Sequence, residues 1–325
     1  MPESQSPTSP NLKLALENIG PIKSAEIELG KVTVLYGANA TGKTTVARAI
    51  EDAIKLMNNI SVDCGALIEL INYSTKVGRM VLNNYEVSLE KSEGFERVNV
   101  TIKRGAETLH SGGCGVGNST YLTGLHVAEL GVDTLVWVGY SDVRLIGVVE
   151  DVLNLEMLLK PSVVKKYFGN ELKAVKEYDD YFYNINHKVS ALCGGWFVVQ
   201  DDVFFNDGDY FYELDHIAEG IKRVALITAA KTLAEMLGKL GRKPVLFVEG
   251  LEPLHVDMIE GILDEFEDTG VPTIIETHSA FALKYAFKKN WGALVFKDGS
   301  TFTDLTNPGL FDKEAVVASE VGEVL

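Results

Sequence analysis

Gly37-Ala38-Asn39-Ala40-Thr41-Gly42-Lys43-Thr44 decides the reading of this chain. It follows the apolar run Val32 to Tyr36 and opens a helical pattern from Lys43 to about Leu56. A glycine-bounded turn between a strand and a helix N-terminus aims successive backbone N–H groups, and the positive end of the helix dipole, at one point. That point suits a polyphosphate. Gly37 and Gly42 permit a tight turn free of side chains around the anion. The amides of Ala38, Asn39, Ala40, Thr41 and Thr45 complete the predicted cradle. Lys43 would reach the β- and γ-phosphates, and the Thr44 hydroxyl would complete the shell of Mg²⁺. An ordinary Gly-containing turn accounts for the glycines but not for the flanking strand and helix. The implied ligand is ATP or GTP.

A chain of 325 residues can bury one large α/β core or two modest ones, and its 46% apolar content fits a soluble protein. Its apolar stretches, such as Val245–Val248, are too short to span a bilayer, so no membrane is expected. Residues 1–11 are rich in Ser and Pro and read as a disordered tail, with no basic-then-apolar leader. Cys64, Cys114 and Cys193 lack metal-ligand spacing and read as reduced cytoplasmic thiols. The net charge of −16 matters more, because duplex binding draws on lysine and arginine against phosphate. Any DNA contact must be local or pass through a partner, not through a large basic surface.

Alternation along 12–18 and 23–29 predicts an antiparallel pair turned at Gly20-Pro21. Val32–Tyr36 reads as a buried parallel strand. Beyond the loop helix come a short helix near Ala66–Tyr73 and an edge ribbon of Tyr85–Leu89 with Arg97–Lys103. Ser111–Ser119, glycine-rich but without G-x-G-x-x-G spacing, reads as a mobile connection. Thr134–Val138 is a strand. From about Arg144 to Val189 the pattern is helical, with Tyr167, Phe168, Tyr178, Tyr181 and Tyr183 best explained as the lobe's own core. Short strands are expected at 196–199, 203–205 and 210–213, then a helix over 219–238 and buried strands at 244–249 and 271–276. A final pair, 291–296 and 300–304, flanks Asp298-Gly299.

Three segments gain meaning beside the loop. Pro244–Glu249 is an apolar strand that places Glu249 at the ligand-binding edge of a parallel sheet, where it would hold Mg²⁺ directly or through water. Thr273–Ser279 puts His278 at the same edge as a sensor of the γ-phosphate, although a lone histidine is more often a satisfied surface or core group. Gly220 lies where the helix after Ile217 begins, and would let a backbone amide approach an anion. In isolation it is a glycine near a cap.

The order of phosphate loop, Gly-containing helix start, acid-tipped strand and Thr277-His278-Ser279 resembles the ABC-type ATPase head, most closely its SMC/RecF-like branch, including the ATPase part of OLD-family proteins. Leu16–Leu29 and Leu251-Glu252-Pro253-Leu254-His255 carry the same likeness, which spans roughly residues 12–310. It implies an α/β P-loop NTPase with a mixed central sheet, an antiparallel β-subdomain and an inserted helical lobe. The implied parts are an N-terminal ATPase part over 12–143, the lobe over 144–190, and a C-terminal ATPase part over 191–325. It further implies a homodimer around ATP and Mg²⁺, with Gly220 reaching the nucleotide of the other protomer.

Departures from the pattern set the expected activity. Ala218 or Glu219 replaces the signature serine, at a loss of roughly 1.5–3 kcal/mol for one charge-assisted hydrogen bond. Gly250 stands where the resemblance puts a catalytic glutamate, and a general base contributes roughly 10²–10⁴-fold. Glu252 is the candidate substitute, with a loop or capping carboxylate as its plainer role. Gln5 and Gln200 are the only glutamines, and neither suits a glutamine loop between the phosphate loop and the signature helix. The leading expectation is a slow ATPase acting in DNA repair, chromosome maintenance or defence against foreign DNA. A separate effector or nuclease protein would partner it, since neither a coiled-coil arm nor a nuclease segment is expected. An ATP-switched interaction module without useful turnover is the alternative, followed by a transporter nucleotide-binding subunit. A small-molecule kinase leaves Gly220 and His278 unexplained.

Overall fold

A computed structural model describes residues 12–302, apart from 59, 95, 121–129, 148–149, 169–170 and 298. The expected tail over 1–11, Asp298 and residues 303–325 lie outside the described residues. In β1 (Leu12–Ile19), Leu12, Leu14 and Leu16 are buried between exposed Lys13 and Glu17. It pairs antiparallel with β2 (Ile22–Leu29), from Leu12↔Leu29 to Ile19↔Ile22, around the Gly20-Pro21 turn. All six residues of β3 (Val32–Gly37) are buried, so both of its faces are covered. α1 (Lys43–Met57) follows the glycine loop.

The β-subdomain begins with β4 (Val62–Asp63) and α2 (Cys64–Leu70), whose N-terminus is capped by Asp63 accepting from the Ala66 amide. It continues as a meander of β5 (Val77–Leu82), β6 (Tyr85–Lys91), β7 (Arg97–Arg104) and β8 (Glu107–Gly115), with β9 (Ser119–Thr120) pairing with β4. Then come β10 (Thr134–Val138), β11 (Asp142–Ile146) and β12 (Asp151–Asn154). The helices α3 (Leu155–Leu159), α4 (Pro161–Phe168) and α5 (Glu171–Cys193) form the lobe. A separate small sheet contains β13 (Trp196–Val199), β14 (Val203–Asn206) and β15 (Phe211–Glu213). The remaining elements are α6 (Glu219–Lys239), β16 (Pro244–Glu249), α7 (Val256–Glu267), β17 (Thr273–Thr277), α8 (Ala280–Lys288), β18 (Gly292–Lys297) and β19 (Ser300–Phe302).

The main sheet runs β12-β11-β10-β16-β17-β3-β18-β19-β2-β1-β5-β6-β7-β8. Strands β10, β16, β17, β3 and β18 are mutually parallel, so their C-terminal ends form one edge. Strand alternation sends Leu35, Trp137, Val245, Phe247 and Ile274 into a core shared with α1. It sends Val34, Val136, Val138, Leu246, Val248 and Ile275 into a second core with α6 and α7. Each such side chain contributes about 1.5–3 kcal/mol on leaving water. The two cores hold β3, which leads into the glycine loop, from both faces.

Four expectations need correction. Ser111–Gly115 is strand, not a mobile connection, because β8 pairs along β7 up to Gly115 despite its glycines. That places β8 at the sheet edge, outside the expected edge ribbon. Residues 144–146 and 151–154 belong to strands, and the helical part of the lobe begins at Leu155. Cys64 and Cys114 form a disulfide across a separation of 50 residues, a pairing that exists only once α2 lies beside β8. Cys193 remains free. In the lobe, Tyr181 is buried as expected, Tyr178 stacks on Phe182, and Tyr183 faces outward. The side chains of Tyr167 and Phe168 are outside those described.

Candidate functional site

The loop from Gly37 to Gly42 is built for close approach to its backbone. Gly37, Ala40 and Gly42 have φ of 155, 61 and 112°. A Cβ on Gly37 would lie 2.6 Å from the Phe296 carbonyl oxygen, and one on Gly42 would lie 2.5 Å from Ile22 Cγ1. Larger residues are therefore barred from both positions. The first turn of α1 has neither a side-chain cap nor an acid, which leaves its N–H groups facing outward. Ala38, Asn39 and Ala40 are exposed, and Thr41 Oγ1 donates to the Ala38 carbonyl. Thr45 packs against the Gly20 turn, with Thr45 Cγ2 2.9 Å from where a Gly20 Cβ would stand, so only its main chain can serve the cradle.

Lys43 is 3% exposed, and its ammonium donates to the carbonyls of Gly37 and Ala38, each at 2.8 Å. Thr44 Oγ1 donates to Glu276, 3.0 Å from Oε1 and 2.9 Å from Oε2. Lys43 Nζ stands 3.9 Å from the same carboxylate. Burial lowers the Lys43 pKa, against the opposing pull of Glu276 and then Glu252. Burial likewise pushes Glu276 up to about 7, helped by Glu249 and Glu252 and resisted by Thr44 and Lys43. Both shifts favour the neutral forms, so desolvation outweighs the pair's attraction.

Glu276 was not a sequence-predicted site residue. Its signal was an acid inside the apolar run Thr273–Thr277. Its role emerges from register: Glu249, Glu276 and Leu35 align across three adjacent parallel strands. Glu249 alternates with Phe247 and Glu276 with Ile274, so both acids point to the α1 side of the sheet. Glu249 Oε2 accepts from Trp137 Nε1 at 3.1 Å, so the carboxylate at Thr44 is Glu276 and not the predicted Glu249.

Beyond β16, Gly250 has φ of +72°, a region that side chains disfavour. A Cβ there would lie 2.7 Å from Glu252 Oε2 and 3.3 Å from the Tyr140 hydroxyl. The turn folds Glu252 back to the sheet edge, where its Oε1 accepts from the His278 amide at 2.6 Å and from Thr277 Oγ1 at 3.2 Å. The His278 side chain is half-buried between β17 and α8. Tyr140, just past β10, is 62% exposed, and its pKa is raised by burial and by the facing carboxylates Glu252, Glu249 and Glu276. Arg223 on α6 ties these strand ends together, donating to the carbonyls of Gly139, Glu249 and Gly250. Burial brings its pKa down to about 10. Sequence reading missed both Tyr140 and Arg223. Gly220 sits one turn before Arg223, and a Cβ there would meet Met258 Sδ at 3.6 Å and the Pro253 oxygen at 3.7 Å, which is ordinary contact.

β17 lies between β3 and the Glu249 strand, with β10 beyond it, and the chain as a whole is similar to a solved SMC head bound to the C-winged helix domain of ScpA. That match has a TM-score of 0.52 at 13% identity, covering 90% of this chain and 96% of the other. The chain has the fold of an SMC head. At that identity the likeness is one of fold. The SMC head domain from Thermotoga maritima aligns with a TM-score of 0.46 at 13% identity, over 90% of this chain and 97% of that one. The recombination mediator RecF aligns with a TM-score of 0.44 at 14% identity, over 90% and 98%. An AAA domain family profile matches residues 13–108, the stretch from β1 through the phosphate loop to β8. No curated protein matches in sequence. No described helix is long and apolar enough to cross a membrane.

The loop and its acids meet at one edge of the parallel strands. The glycine-bounded loop and uncapped helix start fit a triphosphate. Among the described residues no group of three or more His, Cys, Asp or Glu is arranged to hold a metal unaided. That donor set fits Mg²⁺ carried largely by phosphate and water, with the Thr44 hydroxyl and Glu276 as protein partners.

Proposed function

We propose that this chain binds ATP with Mg²⁺ at Gly37–Thr45 and hydrolyses it slowly. The supporting observation is the meeting of Lys43, Thr44 and Glu276 beneath an uncapped helix start. ATP bound there supplies a γ-phosphate for transfer to water, and Mg²⁺ neutralises its charge. Lys43 releases its two loop carbonyls to bind phosphate oxygens. Glu276 and Thr44 would hold the metal, with Glu249 as a further candidate ligand. Glu252 takes the proton of the attacking water, in place of the side chain that Gly250 lacks. His278, next to Glu252, senses the transferring phosphate.

Gly220 has room for a side chain within its own chain, so its glycine serves a contact from outside: the γ-phosphate held by a second protomer. The active form is then an ATP-bridged homodimer. We place it in the cytoplasm, acting in DNA repair, chromosome maintenance or defence against foreign DNA through a separate protein partner, as a solved SMC head carries a winged-helix domain. The chain through β12 serves as its N-terminal ATPase part, α3 to α5 as its lobe, and the chain from β13 onward as its C-terminal ATPase part.

Phosphate release by the purified chain tests this reading. We expect weak Mg²⁺-dependent turnover that Glu252→Gln cuts roughly 10²-fold or more. An unchanged rate in that variant would remove Glu252 as the base. Absence of turnover in the parent chain, with ATP binding intact, would favour the ATP-switched module.

A further inference from the structure

The sheet β13-β14-β15 has two unlike faces. Its register pairs Phe197 with Phe205 and Phe205 with Tyr212, and these point into the second core, where Phe197 and Phe205 are 1% and 3% exposed. The opposite face carries the rows Trp196, Asn206, Phe211 and Val198, Phe204, Glu213. Trp196 is 39% and Phe211 62% exposed, and Val198 and Phe204 are only partly covered. Trp196 and Phe211 flank Asn206 in one row, and Val198 and Phe204 sit side by side in the next, so four large apolar groups share this face around one polar side chain. One edge of the sheet is already tied down, because Asn186 of α5 bonds both the amide and the carbonyl of Phe197. The face therefore stands on a rigid support.

The segment that carries it is acidic, with Lys160 facing Asp202 from the lobe. Between Lys188 and Lys222 the chain holds seven carboxylates and no lysine or arginine. They are Asp201, Asp202, Asp207, Asp209, Glu213, Asp215 and Glu219, all exposed. Asp207 is engaged locally by the amides of Asp209 and Tyr210 and by the Tyr212 hydroxyl, and Glu219 by Lys222. Glu213 lies 3.8 Å from His216. A nucleic acid is repelled by such a rim. A second copy of this chain would bring the same acids against it.

We infer that the Trp196–Phe211 face docks a protein segment in which apolar side chains alternate with lysine or arginine, the apolar groups lying on Trp196, Phe204 and Phe211 and the cations meeting Asp201, Asp202 and Glu213. An aromatic centre desolvated within a charged rim is the usual build of a protein-binding hot spot. The site is distinct from the nucleotide loop and does not require it.

A labelled amphipathic Leu/Lys peptide, titrated against the full chain by fluorescence anisotropy, tests the inference, with a Leu/Glu peptide and duplex DNA as comparisons. Binding of the Leu/Lys peptide alone is expected. It should weaken roughly tenfold or more in Trp196→Ser/Phe211→Ser, weaken with salt and in Asp201→Asn/Asp202→Asn/Glu213→Gln, and persist in Lys43→Ala. Melting temperature checks that each variant is folded, and the charge variant keeps the aromatic core wholly intact. Equal affinity in the aromatic variant would overturn the inference, as would equal binding of the Leu/Glu peptide or of DNA. So would a parent chain that self-associates through this face.

Discussion

Glu276 and Lys43 are each buried at a cost that their mutual attraction does not recover, and a site in that condition is primed for a ligand that changes the balance. Removing the carboxylate should therefore separate stability from chemistry. Glu276→Gln is expected to leave the melting temperature equal or higher while lowering Mg²⁺-dependent phosphate release roughly 10²-fold or more; a rate within twofold of the parent would exclude Glu276 from the metal. The loop residues were legible in the sequence because the cradle is made by consecutive residues. Glu276 was not, because it meets Thr44 across 232 positions, and only strand register brings them together. Tyr140 and Arg223 were hidden for the same reason: Arg223 bonds strand ends that are neighbours in space alone, and Tyr140 comes beside Gly250 only across the sheet. Glu252 was legible as an acid near the site, but its reach depends on the left-handed turn at Gly250.

The helix that carries the phosphate loop also carries a pH dependence. Asp52 on α1 has its pKa pushed up to about 7, by burial first and then by Glu51. Its unfolded value is about 3.9, so between these values the folded state holds the proton more firmly. Stability from this group is complete below about pH 4 and declines as pH rises to about 7, by on the order of 4 kcal/mol. Asp52→Asn should raise the melting temperature relative to the parent at about pH 8 and leave the two close at about pH 4; a difference independent of pH would contradict the assignment. Elements with clean alternation, such as β1 and β2, or with a fully apolar run, such as β3, β10 and β16, stood out in the sequence. β8 did not, because Gly112, Gly113 and Gly115 mask a strand that pairing with β7 imposes. β11 and β12 are short strands beside a long helical segment, and their neighbours blurred them. The Cys64–Cys114 bond closes a 50-residue separation across the β-subdomain and contributes about 2–4 kcal/mol. Spacing alone did not reveal it.

For the whole molecule, five parallel strands gather the loop, three acids, His278 and Tyr140 along one edge, while the Trp196–Phe211 face is built on a separate sheet. The architecture was readable from the order of motifs. Its layering followed only from the alternation of buried residues between two cores. A head that meets its nucleotide from both protomers must change mass on binding. Light scattering should show a monomer without nucleotide and a dimer with ATP·Mg²⁺ in the Glu252→Gln chain, and an unchanged mass would count against the outward role of Gly220. The claim beneath all of this is that Lys43 and the amides around it hold a triphosphate. Isothermal titration calorimetry of ATP·Mg²⁺ into the full chain and into Lys43→Ala tests that claim most directly. Saturable heat from the parent and none from the variant is the predicted result; a parent that ignores ATP, or a variant that binds it equally well, would contradict the account.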